Sequence, residues 1–139
     1  MHRVDNAKVV IGLDFGTKKT GIAIGQTMIH SAQALKSIPT IHDLPSPAEL
    51  TKIIKQWQPD LAVIGKPASA QKAFIKKLNK LAMFLYEEHQ LDSVFVDESL
   101  TTEQANFELY QSHTKKQKRE KQRDSIAARL ILETYFETI

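Results

Sequence analysis

What this chain can fold into is set chiefly by three short apolar runs, residues 8–14, 61–65 and 93–97, with stretches of helical periodicity between the later ones. The first is rich in β-branched residues and reads as a strand buried on both faces, and the second reads the same way. Ahead of residues 61–65, Ser46 offers a helix cap, Pro47 suits the first turn and Glu49 completes a capping box. Leu50, Ile53, Ile54 and Trp57 then recur on one helical face, and Pro59-Asp60 stops the helix. Phe74, Leu78, Leu81 and Leu85 mark a second helix over roughly residues 70–89. Strands alternating with helices in this way imply parallel pairing through right-handed crossovers.

The beginning of the chain has a different rhythm. Residues 15–19 break the apolar pattern and read as a turn, residues 20–25 return beside the first strand, and residues 33–38 supply a third. Three strands on short connections form an antiparallel meander. Thr101 with Gln104 marks a third helix, and the last helix carries Ala127, Ala128, Ile131 and Tyr135 on one face. The expected fold is α/β, a mixed five-stranded sheet of meander plus parallel strands, flanked by helices. Its 139 residues suit one domain spanning 1–139, with residues 1–7 a flexible tail.

Composition narrows the classes. Hydrophobic residues at 42% and charged residues at 25% are ordinary for a globular protein, which excludes disorder or a repeat array for most of the length. The absence of cysteine excludes disulfides, a zinc-thiolate site and a Cys nucleophile. No signal-peptide pattern opens the sequence and no apolar run reaches membrane-spanning length, so the expectation is a cytoplasmic protein without a membrane partner.

Chemistry enters through carboxylates. Asp14 closes the first strand, Asp97 and Glu98 close the fifth, and Asp124 is expected to open the last helix. An ionised carboxylate at the end of a buried strand is costly unless it is paired or holds a cation. Singly, Asp14 can bond to turn backbone, Glu98 can be solvated, and Asp124 can complement a helix dipole. Their common placement at element ends points instead to one site. Such a set offers hard oxygen ligands, which favour Mg²⁺ or Mn²⁺ over zinc. Two such ions about 3.5–4 Å apart can activate a water and stabilise the leaving oxygen in phosphodiester cleavage. Neighbours in an extended strand face opposite ways, so Asp97 and Glu98 do not both point into the site; alternation alone leaves the choice open.

Four ordered motifs then carry a resemblance. They are Leu13-Asp14-Phe15-Gly16-Thr17-Lys18-Lys19-Thr20-Gly21-Ile22-Ala23, Val63-Ile64-Gly65-Lys66-Pro67, Asp97-Glu98-Ser99-Leu100-Thr101-Thr102 and Asp124-Ser125-Ile126-Ala127-Ala128. The series resembles the YqgF family, also called the RuvX or Holliday junction resolvase family, over nearly the whole chain. The resemblance implies an RNase H-like fold and an acidic triad of Asp14, Glu98 and Asp124; the working expectation is that Asp14 bridges two metal ions while Glu98 and Asp124 complete their shells. It also implies a nuclease, endo- or exonucleolytic, that processes the 5′ end of precursor 16S ribosomal RNA. Precursor rRNA and the ribosome are then the expected partners. Resolution of four-way DNA junctions is the alternative, and it would require a dimer. Ser99 stands where the family carries Arg, and the loop over residues 68–72 is shorter than the family's; both differences bear on substrate grip.

Charge distribution agrees with a polyanionic partner. Net charge is only +3, yet residues 112–123 gather Lys115, Lys116, Lys118, Arg119, Lys121 and Arg123 against a single Glu120. Without an apolar face, this segment is a basic loop or an exposed helical extension that a polyanion would stabilise. Lys18 and Lys19, just beyond Asp14, are further candidates for phosphate contact. Two rival classes fit part of the pattern. An actin-like ATP-binding protein shares the glycine turn after Asp14 but needs two lobes, for which this chain is too short. A non-catalytic assembly or transcription factor needs only the basic segment.

Overall fold

The computed structural model of the chain describes residues 8–97 and 116–139, the latter with side chains from Ser125 onward. The expected tail over residues 1–7, the helix expected at Thr101, and both Glu98 and Lys115 lie outside the described residues. β1 (Val9–Asp14) runs through the middle of the sheet. It pairs antiparallel with β2 (Lys19–Gln26), Val9 opposite Gln26 and Asp14 opposite Gly21. On its other side it pairs parallel with β6 (Leu61–Lys66), which in turn pairs parallel with β7 (Ser93–Asp97). A strand enclosed on both edges and both faces must be apolar throughout, and Val10, Ile11 and Leu13 have no exposed surface.

Beyond β2 the sheet departs from the expected count: among the described residues it has seven strands, not five. The single strand expected over residues 33–38 is two, β3 (Ser31–Ala34) and β4 (Ile38–Ile41), both laid along the same edge of β2. Leu35 and Ile38 explain the break. Both pack into one core cluster, yet three residues apart they would face opposite sides of an unbroken strand. Residues 35–37 therefore leave the ladder, with only the Leu35 amide still donating to the Ile22 carbonyl at 2.8 Å. A two-residue hairpin adds β5 (Leu44–Pro45), and its loop residues His42 and Asp43 both have positive φ, 51° and 66°. That pair of left-handed residues gives the turn whose twist matches the flanking strands.

Helices cover both faces. α1 (Pro47–Trp57) begins as expected: the Ser46 hydroxyl accepts from the Glu49 amide at 3.4 Å, and Pro47 opens the first turn. It ends in a left-handed Gln58, whose amide donates to the Ile54 carbonyl at 2.7 Å ahead of Pro59. α2 (Lys72–His89) closes the same way on Gln90. Leu50 from α1 and Leu78, Leu81 and Leu85 from α2 bury against Ile11, Leu13, Ile22, Ile24 and Ile64. The residues of alternate parity face α3 (Lys116–Phe136). There Val10, Ala23 and Val63 meet Ala128, Ile131, Leu132 and Phe136.

The last helix starts at Lys116, so Asp124 lies two turns inside it and does not open it. The part of the basic segment from Lys116 to Arg123 is helical extension, not loop. It has no apolar face, but Lys, Gln, Arg and Glu are all strong helix formers, so a helix packed over its second half propagates backward through them.

α3 sits close on the sheet because two strand positions lack a side chain. A Cβ at Gly12 would come within 2.7 Å of Leu132 Cγ and 2.9 Å of the Ala128 carbonyl oxygen. At Gly25 it would meet the Ser31 carbonyl oxygen at 2.5 Å and Phe136 Cζ at 2.9 Å. Backbone atoms cannot swing aside as a side chain can. Gly12→Ala is therefore expected to lower unfolding free energy by about 1–3 kcal/mol, read as a shift of the urea midpoint at constant m-value.

Candidate active site

Position along β1 decides where Asp14 stands. Val10 and Gly12 face α3, and by alternation Asp14 faces the same side, half-buried at the strand's end. Its antiparallel neighbour is Gly21. On the parallel side the last paired residues are Leu13 and Ile64, and the next residue of β6 is Gly65. The carboxylate thus has a glycine on each flanking strand. Both glycines are buried and carry no side chain, so no neighbouring side chain on either strand shares the carboxylate's face at this level.

The direction of α3 is read from its contacts. Its Phe136 end lies over Gly25, the partner of Val10 at the start of β1, while Ala128 lies over Gly12. Helix and strand therefore run in opposite senses, and the helix advances toward the Asp14 end as residue numbers fall. One turn before Ala128 is Asp124, whose side chain is outside the described set.

A rigid turn follows Asp14. Phe15 is buried and packs on Phe74 of α2, ring centroids 5.7 Å apart. Thr40 Oγ1 donates to the Gly16 carbonyl at 2.6 Å and shares a 2.9 Å hydrogen bond with the fully buried Thr20 hydroxyl. The Thr40 amide donates to the Lys18 carbonyl at 2.9 Å. Gly16 is required here, since a Cβ would stand 2.5 Å from the Lys19 carbonyl oxygen. The backbone carrying Lys18 and Lys19 is thereby fixed to β4.

These lysines line a cleft of about 740 Å³. Its other walls are the β3–β4 connection, including Lys36, and Ser125 and Ile126 at the edge of α3. Lys36 and Ser125 were not expected from the sequence. A single lysine between strands carries no pattern, Ser125 stood in a motif without a role of its own, and only the fold makes them neighbours of Lys18.

Of the carboxylates at the end of the fifth strand, Asp97 is the one described. Val94 and Val96 pack on the α3 side, so by alternation Asp97 turns to the opposite face from Asp14. Among the described residues no three His, Asp or Glu side chains gather into a metal-binding group. Asp14 is the one member of the expected triad whose side chain is described. Of the basic residues, Lys18 and Lys19 border the cleft, and Lys116, Lys118, Arg119, Lys121 and Arg123 occupy the first two turns of α3. No helix among the described residues is long and apolar enough to cross a membrane.

The family model described as RuvX, Holliday junction resolvase, matches residues 8–138. The chain belongs to the RuvX family. A Shewanella oneidensis relative named "Putative pre-16S rRNA nuclease" is 38% identical over 135 residues, covering 95% of this chain and 96% of that one. A Haemophilus ducreyi relative of the same name is 34% identical, covering 94% and 97%. Among solved structures, Thermus thermophilus RuvC in complex with a Holliday junction substrate superimposes with a TM-score of 0.55 at 13% identity, covering 94% of each chain. The fowlpox virus resolvase, also bound to junction DNA, gives 0.57 at 13% identity, covering 94% and 97%. This RuvX chain therefore has the RNase H-like resolvase fold, as its motifs led us to expect.

The Thr20–Thr40–Gly16 network makes a separate prediction. Thr40→Val strands the buried Thr20 hydroxyl and the Gly16 carbonyl, at a cost of about 1–3 kcal/mol. In a thermal or urea double-mutant cycle, Thr20→Val with Thr40→Val should lose less than the sum of the two single changes, because the second substitution removes the stranded donor.

Proposed function

We propose that this RuvX chain is a divalent-metal-dependent nuclease that trims the 5′ end of precursor 16S rRNA, with Asp14, Glu98 and Asp124 as its acidic residues. The observation that carries the reading is Asp14 itself: a half-buried carboxylate at the end of the central strand, between Gly21 and Gly65, on the face covered by α3. A carboxylate so placed, with a side-chain-free glycine on each flanking strand, suits a hard cation. The sense of α3 supports Asp124 as its companion. Two turns inside the helix, Asp124 has lost the ordinary explanation of complementing the helix dipole, which acts within the first turn. Alternation in β7 supports Glu98 over Asp97, because the residue after Asp97 takes the parity of Val94 and Val96 if the strand continues.

The chemistry a bound Mg²⁺ or Mn²⁺ supplies is Lewis acidity toward the phosphodiester and the attacking water. The protein's own part is to hold the three carboxylates against their mutual repulsion and to orient the substrate backbone. Lys18 and Lys19, fixed beside Asp14 by the Thr40 bonds, draw a phosphate toward it. Lys116, Lys118, Arg119, Lys121 and Arg123 extend that attraction along the leading part of α3, with Lys115 preceding them in the sequence, as phosphate contacts that position and do not read sequence. The names borne by the relatives favour precursor rRNA, and hence action on or near the ribosome in the cytoplasm. The family's description as Holliday junction resolvase favours a second reading, cleavage of four-way DNA.

One assay tests both. Wild type and Asp14→Asn are incubated with precursor 16S RNA and with a four-way DNA junction, in Mn²⁺ or in EDTA. Metal-dependent cutting is expected for wild type, with a loss of about 10³-fold or more in the variant. Cutting by Asp14→Asn at the wild-type rate would sink the site, and cutting of the junction alone would move the reading to resolution. Neutralising Lys118 and Arg119 together should leave melting unchanged. It should lower the slope of log affinity against log salt by about 0.7 per lost contact on single-stranded RNA.

A further inference from the structure

We infer that the cleft between the β1–β2 turn, the β3–β4 connection and α3 holds one unpaired ribonucleotide next to the scissile phosphate, with Ser125 reading its 2′-hydroxyl. The position beside the cut rests on the nuclease reading; the cleft and its chemistry do not. Three observations carry the inference. At about 740 Å³ the cleft is far too small for a double helix, but it lies within the roughly 300–1,000 Å³ range of pockets for ligands of nucleotide size. Its described lining is basic, with Lys18, Lys19 and Lys36 and no acidic side chain. Leu35, Ile38 and Ile126 add an apolar wall suited to the face of a base or sugar.

The third observation is Ser125. It is 6% exposed, it lines the cleft, and its hydroxyl has no hydrogen-bond partner. A helical serine ordinarily bonds back to a carbonyl one turn earlier or reaches water. This one does neither, and a buried hydroxyl without a partner is the exception in folded proteins. The hydroxyl oxygen itself is closed to solvent, so it gains a partner from a group in the cleft by turning to another staggered χ1 rotamer. A serine hydroxyl both donates and accepts, as does a ribose 2′-hydroxyl, and deoxyribose offers nothing there. Because Ser125 follows Asp124 and Lys18 lies in the turn after Asp14, the nucleotide in the cleft flanks the proposed cutting site.

The test measures binding of a short single-stranded RNA and its all-deoxy counterpart by fluorescence anisotropy. It is run in Mg²⁺ on the Asp14→Asn background, so that nothing is cut. Ser125→Ala should weaken RNA binding by about threefold to tenfold and leave DNA binding as it was, with a melting temperature no lower than its parent's. Lys36→Gln should weaken both and reduce the salt slope by about 0.7. In a deoxy strand carrying one ribose at successive positions, a single position should restore the RNA-like affinity, and Ser125→Ala should abolish that gain. Equal effects of Ser125→Ala on RNA and DNA, or no effect on either, would overturn the sugar reading. If wild type cleaves while Ser125→Ala and Lys36→Gln bind normally on the Asp14→Asn background and cut normally with Asp14 intact, the cleft proposal fails and the nuclease stands. If wild type does not cleave but Ser125→Ala still erases the sugar preference, the nuclease reading fails and the ribonucleotide cleft stands.

Discussion

The close approach of α3 to the central strand fixes most of what this molecule can do. A helix normally packs on a sheet through side chains from both layers, which keeps the backbones apart. Over Gly12 one layer of side chains is absent, and the Ala128 carbonyl and Leu132 take up that space. The second bare position, Gly25 under Phe136 and Leu132, fixes the other end of the contact. Backbone contact at Gly12 and side-chain contact at Gly25 together leave the helix little freedom to slide or rotate. The proposed site depends on that restraint, because Asp124 on the helix would have to meet Asp14 on the strand end at a distance suited to a shared ligand.

The strand on which α3 rests is also the least replaceable in the sheet. β1 is paired on both edges and covered on both faces, so its dihedral angles and its end point are determined by four sets of contacts. Asp14 inherits that rigidity. The turn after it receives a second set of restraints, from Phe15 on Phe74 and from Thr40 on the Gly16 carbonyl. A carboxylate and two lysines therefore sit on backbone that has little freedom to relax, which is what preorganised binding of a charged ligand requires.

Much of this was legible in the sequence, and the parts that were not share a physical cause. Strands β1, β6 and β7 follow from local composition, and α1 from Ser46, Pro47 and Glu49, because burial and capping act on neighbours in the chain. Residues 33–38 were misread as one strand because local alternation cannot know that Leu35 and Ile38 are claimed by the same core. The start of α3 was misplaced for the converse reason. Its leading turns have no apolar pattern, and their helicity follows from propensity added to a helix already packed. Gly12 looked like any glycine in a strand until Ala128 was found over it. Asp14 was singled out correctly as a strand-end carboxylate. Lys36 carried no signal, and Ser125, 89 positions away on a separate element, entered only as a member of the motif that begins at Asp124.

The arrangement also separates stability from chemistry along one face of the sheet. From Phe136 to Ala128 the underside of α3 is apolar and buries against Val10, Ala23 and Val63. Among the described side chains, the apolar part of that packing reaches Ala128 over Gly12, one strand repeat short of Asp14. The next turn of helix carries Asp124 and then the basic run, in which no residue is apolar. Extending the apolar seam by one turn would have put an apolar residue in the place of Asp124. The packed half of the helix sets the direction of the charged half. The same contacts that hold α3 to the sheet thus aim its cationic end past the carboxylate, where a polyanionic strand can bridge the two.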